Sequence, residues 1–444
     1  MTAHNFSVII VGAGPVGLSA AHALRLANID FLVLEKRQNV VVDVGASIAV
    51  GPASMRVIHQ LGLLESLLEV SHRSERKKAL TVDGRLVKDT LTGSTSIAFN
   101  RVDYLRLLYQ RLGSDQAKVL TGKEIVDISS TDSGVTVKCA DGTLYKGSIV
   151  IGADGVHSKV RGIMRQMAIE EHPKRSWDAE EPYLTTYKCL WFSTPSLVSQ
   201  QNLPGSPDMA VYETYHKDHS IMCLSGKLRC WVFLYKKLRQ PTTQRLACTK
   251  EDMQQMINTF ADFHITEHVK VREAYNNKIN SSMASIEEGM TSHWSWGRIV
   301  LAGDSCHKFA PNLGLGYQSG LQDVVALCNR LHSAVAQAPD GIPGTLALSE
   351  AFQSYYAFRR EPADTDAKLS AFVLRVSVWE NAFYYFLSLY ILPLLLADHI
   401  LQNWVFPPID RRMLVLDYVE AEEPFTGRVG WVYKIPTPSK AKED

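Results

Sequence analysis

Three short apolar runs, each stopped by glycine, organise the chain. Val8-Ile9-Ile10-Val11 runs into Gly12-Ala13-Gly14-Pro15-Val16-Gly17, Ile149-Val150-Ile151 into Gly152-Ala153-Asp154-Gly155, and Ile299-Val300-Leu301-Ala302 into Gly303-Asp304. Continuous apolar runs of this length predict strands buried on both faces, as in a parallel sheet. Helical spacing follows them: Leu18, Ala21, Leu24 and Leu26 after the first, a segment capped by Ser158 and bearing Arg161 after the second, and Leu321, Val324, Val325 and Leu327 after the third. Another strand, Phe31-Leu32-Val33-Leu34, ends in Glu35. A helix with Met55, Val57, Ile58 and Leu61 stops at Gly62, and Arg101 opens another with Leu105, Leu107 and Leu108. Elsewhere the period drops to two. Residues 79–99 and 125–145 alternate around turns at Asp83-Gly84, Ser133-Gly134 and Asp141-Gly142, and aromatic-rich strands are predicted at 183–192, 209–215, 220–224 and 230–235.

The first glycine turn has the spacing G-x-G-x-x-G between a strand and a helix, so each glycine has a physical task. Gly12 makes the turn, Gly14 admits a pyrophosphate to the backbone, and Gly17 lets the helix pack close to the strand. The helix N-terminus then offers unpaired N–H groups and a positive dipole end to the phosphates. Glu35 lies where a carboxylate would hold a ribose diol. The fold class is therefore α/β (α+β overall), a Rossmann-like domain carrying an inserted antiparallel sheet. With only one dinucleotide fingerprint, a second dinucleotide would bind transiently rather than on its own Rossmann unit.

Composition narrows the picture further. The 444 residues carry a net charge of +1, which argues against a nucleic-acid surface. The seven cysteines are scattered and form no C-x-x-C pair, as expected of reduced thiols in an intracellular protein, with no metal site. One stretch, 382–397, reads AFYYFLSLYILPLLLA without a charge. It is shorter than the ~20 residues of a spanning helix, and Pro393 interrupts it. Three arrangements are open: a buried C-terminal helix, an anchor lying in a membrane surface, or a span extended to residue 406. The tail beyond Tyr418 is expected to be loose.

Taken together, the three motifs resemble those of the flavoprotein monooxygenases of the aromatic-hydroxylase type, over residues 6 to about 362. Within that group the chain is similar to the fungal secondary-metabolite branch that epoxidises or hydroxylates prenylated and meroterpenoid substrates. The branch signals are Val-Gly-Ala-Ser-Ile at 44–48, Asn-Arg-Val-Asp-Tyr-Leu at 100–105, the Asp304 loop with His307-Lys308, and the apolar C-terminal segment. The resemblance implies FAD as cofactor, NADPH or NADH as electron donor and O2 as co-substrate. It divides the chain into a discontinuous FAD-binding domain (1–78, 96–175 and 290–362), a β-rich substrate domain (79–95 and 176–289) and a helical C-terminal region (363–444) with a possible membrane anchor at 382–406.

By resemblance, the Gly12, Gly14 and Gly17 turn takes the pyrophosphate of FAD, Glu35 holds the adenosine ribose, Arg101 lies along the phosphate–ribityl side, and Asp304 takes the ribityl hydroxyls. Asp154 and Arg161 brace the pyrophosphate and the nicotinamide approach, and the loop from Pro311 to Gly316 passes the isoalloxazine ring. Ala49 stands where the branch usually has glycine. The loop departs from the family pattern at Gly314-Leu315-Gly316-Tyr317-Gln318, where Tyr317 replaces a small residue and is expected to crowd the flavin. Some relatives anchor and deprotonate a phenol with an arginine and a tyrosine. The nearest counterparts here are Lys188 and Tyr212, with Tyr215 as a rival, and lysine lacks the bidentate fork of arginine. An apolar alkene substrate and epoxidation are therefore expected. The alternatives are aromatic-ring hydroxylation and a non-oxygenating flavin-binding protein or cyclase.

Overall fold

The computed structural model describes residues 5–43, 47–74, 76–91, 96–196, 210–226, 229–392, 397–425 and 430–437. Val44, Gly45 and Ala46 of the branch signal, and Pro393, lie outside the described residues. The core is a six-stranded sheet in the order Ser295–Trp296, Ile299–Leu301, Ile149–Gly152, Ser7–Val11, Asp30–Leu34, Val119–Leu120. Its four central strands are parallel, with Val11 opposite both Gly152 and Leu34, and Leu301 opposite Gly152. The three apolar runs are therefore neighbours, and their glycine turns emerge at one edge, where open α/β sheets form a ligand crevice.

Helices Pro15–Leu26 and Leu315–Gln337 pack against this sheet. Proline at the first helical position suits the turn, because its φ is preset and its missing N–H would have had no partner. Asn100 caps the helix Arg101–Gln110 by accepting from Val102 N, and Ser158 caps Lys159–Glu171 by accepting from Arg161 N.

The second large sheet has eight strands: His307–Lys308, Asn280–Met290, Leu184–Pro195, Arg229–Thr242, His219–Ser225, Ala210–His216, Arg76–Leu80 and Leu86–Leu91. All its pairings are antiparallel except that of Ala210–His216 with Arg76–Leu80. One face is covered by helices Lys250–Phe260 and Val271–Asn276, the other by the end of the long helix Thr345–Ser377 and by Ala310.

Two C-terminal expectations are corrected. No described helix is long and apolar enough to cross a membrane. The stretches 382–391 and 397–410 are helical with mixed α and π turns, but Phe383, Phe386, Tyr390 and Trp404 are exposed rather than buried. Beyond Tyr418, the described residues 419–425 and 430–437 are strapped down rather than loose, and the charged end of the tail lies outside the described residues. Glu423 accepts two bonds from the buried Arg56, whose guanidinium also lies 4.1 Å above the Trp431 ring. Gln60, Gln322 and Asn329 bond the backbone of residues 414–419, and Tyr418 donates to Ala23 O. Side-chain amides substitute here for a sheet ladder, satisfying a backbone that would otherwise be buried without partners.

Candidate cofactor and substrate site

The glycine turn shows why its residues are small. A β-carbon on Gly17 would lie 1.9 Å from Gly12 O, and one on Gly12, at φ +105°, would lie 2.5 Å from Ala153 O. Gly14 differs: a β-carbon there would meet nothing within 4 Å, so the turn is open on the side facing the crevice. Glu35 is buried at the end of its strand. Its oxygens accept from Ala13 N at 2.8 Å and Arg37 N at 3.0 Å, tying the turn to the neighbouring strand.

The second motif meets the third through Arg161. Asp154 accepts from Ser158 Oγ at 2.5 Å, Lys159 N at 2.7 Å and Val160 N at 3.1 Å, so it seats the start of the following helix; burial pushes its pKa up. Arg161 donates to Ser305 O and Val156 O, both at 2.9 Å, and lies over the Tyr183 ring. Through the Ser305 bond Arg161 joins the second turn to the third, while Asp154 fixes the start of its own helix.

Asp304 is held by Lys308 Nζ at 2.5 Å, and a β-carbon on Gly316 would come within 4.0 Å of its other oxygen. Burial, and then the charge of Arg37, draws the Arg101 pKa down, while Asp304 and Glu35 act in the opposite sense. Glu35, Arg101 and Asp304 thus share the crevice edge. Across it, the Pro311–Leu313 turn ends at Gly314 in the left-handed region, φ +67°, where a β-carbon would lie 3.2 Å from the Ala49 methyl. Gln318 accepts from Gly51 N and Ser54 Oγ, fastening the Ala49 strand over the start of helix Leu315–Gln337.

Tyr317 does not crowd the crevice as the sequence suggested. Its ring turns away into the gap between helices, with its hydroxyl on Ser19 and Tyr104.

Sequence reasoning passes over Asp323, which is fully buried. It accepts from Gly303 N at 2.9 Å, His307 Nε2 at 2.6 Å and Arg359 Nε at 2.8 Å. The signal is present, as an acid inside an otherwise apolar helical run. Burial works against its charge, but His307 and Arg359 prevail and hold its pKa below the ordinary value. Cys306, His307 and Asp323 bring ligand-type atoms within 4.8 Å of one another. Both carboxylate oxygens are already engaged, one of them by a guanidinium, so the cluster works as the anchor of the third motif.

On the eight-stranded sheet, alternation sorts the side chains. The face toward Ala310 carries two aligned rows, Trp191–Phe233–Met222 and Ser193–Trp231–Leu224, with Tyr187 and Tyr235 beyond them. The opposite face carries Leu190, Phe192, Tyr212, Val232 and Leu234 against helix Lys250–Phe260. Lys188 is on that opposite face, 3.3 Å from Asp252, and Tyr212 packs there under Lys78. Both therefore lie on the face covered by helix Lys250–Phe260, opposite the Ala310 side. Tyr215 is on the Ala310 side, where its hydroxyl donates to Glu213, itself 3.0 Å from Lys77.

The residues present fit FAD. The turn is open at Gly14, the helices Pro15–Leu26, Arg101–Gln110 and Leu315–Gln337 begin at the crevice, and the buried Arg101 feels the charges of Glu35 and Asp304 at its edge. Comparison with known proteins agrees. The family described as FAD binding domain matches residues 5–343. The FAD-dependent monooxygenase ausM of Penicillium brasilianum is 31% identical over 400 residues, covering 87% of this chain and 82% of that protein. The FAD-dependent monooxygenase spyC of Aspergillus fumigatus is 32% identical over 403 residues, covering 87% and 83%. Among solved structures, Klebsiella pneumoniae HpxO complexed with FAD and uric acid superposes with a TM-score of 0.70 at 19% identity, covering 90% of this chain and 98% of that one. CtdE in complex with FAD and its substrate gives 0.70 at 16%, covering 85% and 92%; at these identities the two structures speak to the fold alone. The chain belongs to the FAD-dependent monooxygenases, in the branch represented by these fungal secondary-metabolite enzymes.

Proposed function

We propose that the protein inserts one oxygen atom from O2 into a hydrophobic terpenoid or prenylated substrate, by epoxidation of an alkene, with a reduced nicotinamide as electron donor. The observation that carries this reading is the Ala310-side face of the sheet. Its two rows present Trp191, Phe233, Met222, Trp231 and Leu224, and the first charged positions along them are Glu213 and Lys77 toward the far strands. Such a surface orients a substrate by shape and apolar burial rather than by ion pairing. FAD, when bound, supplies the two-electron and oxygen chemistry that no side chain can.

The protein's own contribution is placement. With FAD bound, Gly14 would admit the pyrophosphate, Arg101 would offset its charge and Asp304 would accept from the ribityl hydroxyls, while the Ala49–Gly314 contact would hold the loop that follows the third motif. Water is kept out by the aromatic rows and by Leu374 and Val378 above them. A nicotinamide dinucleotide is anionic, and cations gather at the rim between the second and third motifs. They are Lys308, which stands on Asp304, and Arg245, whose charge adds to burial in lowering the pKa of His157 and keeps that imidazole neutral.

The test is to purify the protein with FAD, then follow NADPH oxidation with and without a prenylated test compound under labelled O2. One labelled atom in an oxirane or diol supports epoxidation. A new phenol moves the reading to ring hydroxylation. Flavin-loaded protein that converts the compound without taking up label overturns the oxygenase reading of this site and leaves a cyclase.

A further inference from the structure

Three helices begin at the cofactor crevice, Pro15–Leu26, Arg101–Gln110 and Leu315–Gln337. Within its first turn or so each carries a hydroxyl, those of Ser19, Tyr104 and Tyr317. Tyr317 Oη lies 2.5 Å from Tyr104 Oη and 3.1 Å from Ser19 Oγ. Ser19 Oγ donates to Pro15 O at 2.7 Å. Each hydroxyl has one hydrogen to give, so the order is set: Tyr104 donates to Tyr317, Tyr317 to Ser19, and Ser19 to the Pro15 carbonyl.

The packing explains why a tyrosine stands there. Next to the clasp the first and third helices are in close contact: a β-carbon on Gly320 would lie 2.7 Å from Val16, and one on Gly303 would lie 3.1 Å from it. One turn before Gly320 the Tyr317 ring stands beside the Tyr104 ring, edge-on with centroids 5.4 Å apart. Tyr104 is fully buried and three residues beyond Arg101, hence on the same helical face. Burial pushes the Tyr317 hydroxyl up to about 12, so the chain stays protonated at any working pH.

We propose that Tyr317, through Tyr104 and Ser19, is a positioning residue that clasps the three helix N-termini in one arrangement, so setting FAD affinity and the placement of Arg101 at the crevice edge. The proposal rests on the family assignment and is independent of the substrate. Helix N-termini act on an anion only through their first turn, so small relative displacements of the three ends weaken the site. The departure from a small residue at position 317 thus supplies a brace.

The experiment is titration of purified apoprotein with FAD, followed by flavin fluorescence, together with the midpoint potential of the bound flavin. Tyr317→Phe keeps the ring and removes the central hydroxyl. It should raise the FAD Kd about tenfold, equal to ~1.4 kcal/mol, and make the potential more negative. Tyr104→Phe should act in the same direction with equal or smaller size, Ser19→Ala less, and the double variant Tyr104→Phe/Tyr317→Phe no more than Tyr317→Phe alone. Additive effects of the two tyrosine changes would overturn the clasp. So would a lower apoprotein melting temperature with unchanged Kd and potential, which is the signature of packing alone. Should Tyr317→Phe not fold, Tyr104→Phe and Ser19→Ala carry the same test, and wild-type Kd and potential in both would overturn the proposal.

Discussion

In the cofactor crevice, function is written into the backbone, whereas on the eight-stranded sheet it is written into which way a side chain faces. Gly12, Gly14 and Gly17 differ in what a β-carbon would meet, and Glu35, Asp154 and Asp323 each accept backbone N–H groups. Their roles follow from local geometry that a motif can encode. Lys188 and Tyr187 are adjacent in one strand, yet one pairs with Asp252 on a helix-covered face and the other is buried beside Ile286 toward Ala310. No local pattern distinguishes the two faces, since both are apolar. The lesson is that a half-buried strand advertises its period but not its partner.

The largest effect expected is at the crevice. Gly17→Val would drive a side chain into Gly12 O, so FAD affinity should fall by ~3 kcal/mol or more, roughly 100-fold. The purified protein should then be colourless. Retained flavin absorption would show that the turn can relax, and the contrast with the sheet would weaken.

A matched pair of substitutions sharpens the contrast between the faces. Phe260 is fully buried behind the sheet, and Phe260→Ala should cost about 3–5 kcal/mol of stability in denaturant unfolding while leaving KM for substrate unchanged. Phe233→Ala, on the Ala310 side, should lower kcat/KM by roughly 10–100-fold, about 1.5–3 kcal/mol of lost apolar contact, with flavin content intact. An unchanged kcat/KM would mean that this face is not where substrate lies.

The crevice side should also carry a pH signature. Burial lowers the pKa of His22 from 6.5 to about 4, and its Nε2 faces Leu108 O at 2.8 Å while Arg25 donates to Nδ1. The neutral ring is the folded form. Its contribution is complete above pH 6.5 and is lost as pH falls toward 4, at up to ~1.4 kcal/mol per pH unit. His22→Asn should flatten the slope of stability against pH in that window; an unaltered slope would place the acid sensitivity elsewhere. The smallest effect is at Lys188. Lys188→Ala should change stability by no more than ~1 kcal/mol and leave kcat alone, because its partner Asp252 is also partly exposed. A large fall in kcat would return Lys188 to the active site and break the comparison.

Much of the crevice is legible in the chain itself. The three glycine motifs, Glu35, Arg101 and Asp304 are found at one sheet edge because strands ending in glycine turns must pair in parallel to bury their apolar sides. Asp323 is readable in principle, as an acid among Leu321, Val324 and Val325, but its partners His307 and Arg359 lie 16 and 36 residues away. Tyr317 misleads for a related reason. Its position in the loop is as expected, but the direction of its ring depends on Ser19 and Tyr104, which come 298 and 213 residues earlier. The strapped tail hides in the same way, since Arg56 and Glu423 have no signal in each other's vicinity.

The sequence alone determined the strand ends, the glycine turns, the helix starts and hence the FAD-binding class, because these depend on residues close in the chain and on backbone sterics. The tertiary structure decided which face of the sheet each side chain takes, the direction of Tyr317 and the anchoring of the third motif by Asp323. Those outcomes depend on which distant elements pack together, and a side chain's environment is a property of its neighbours in space.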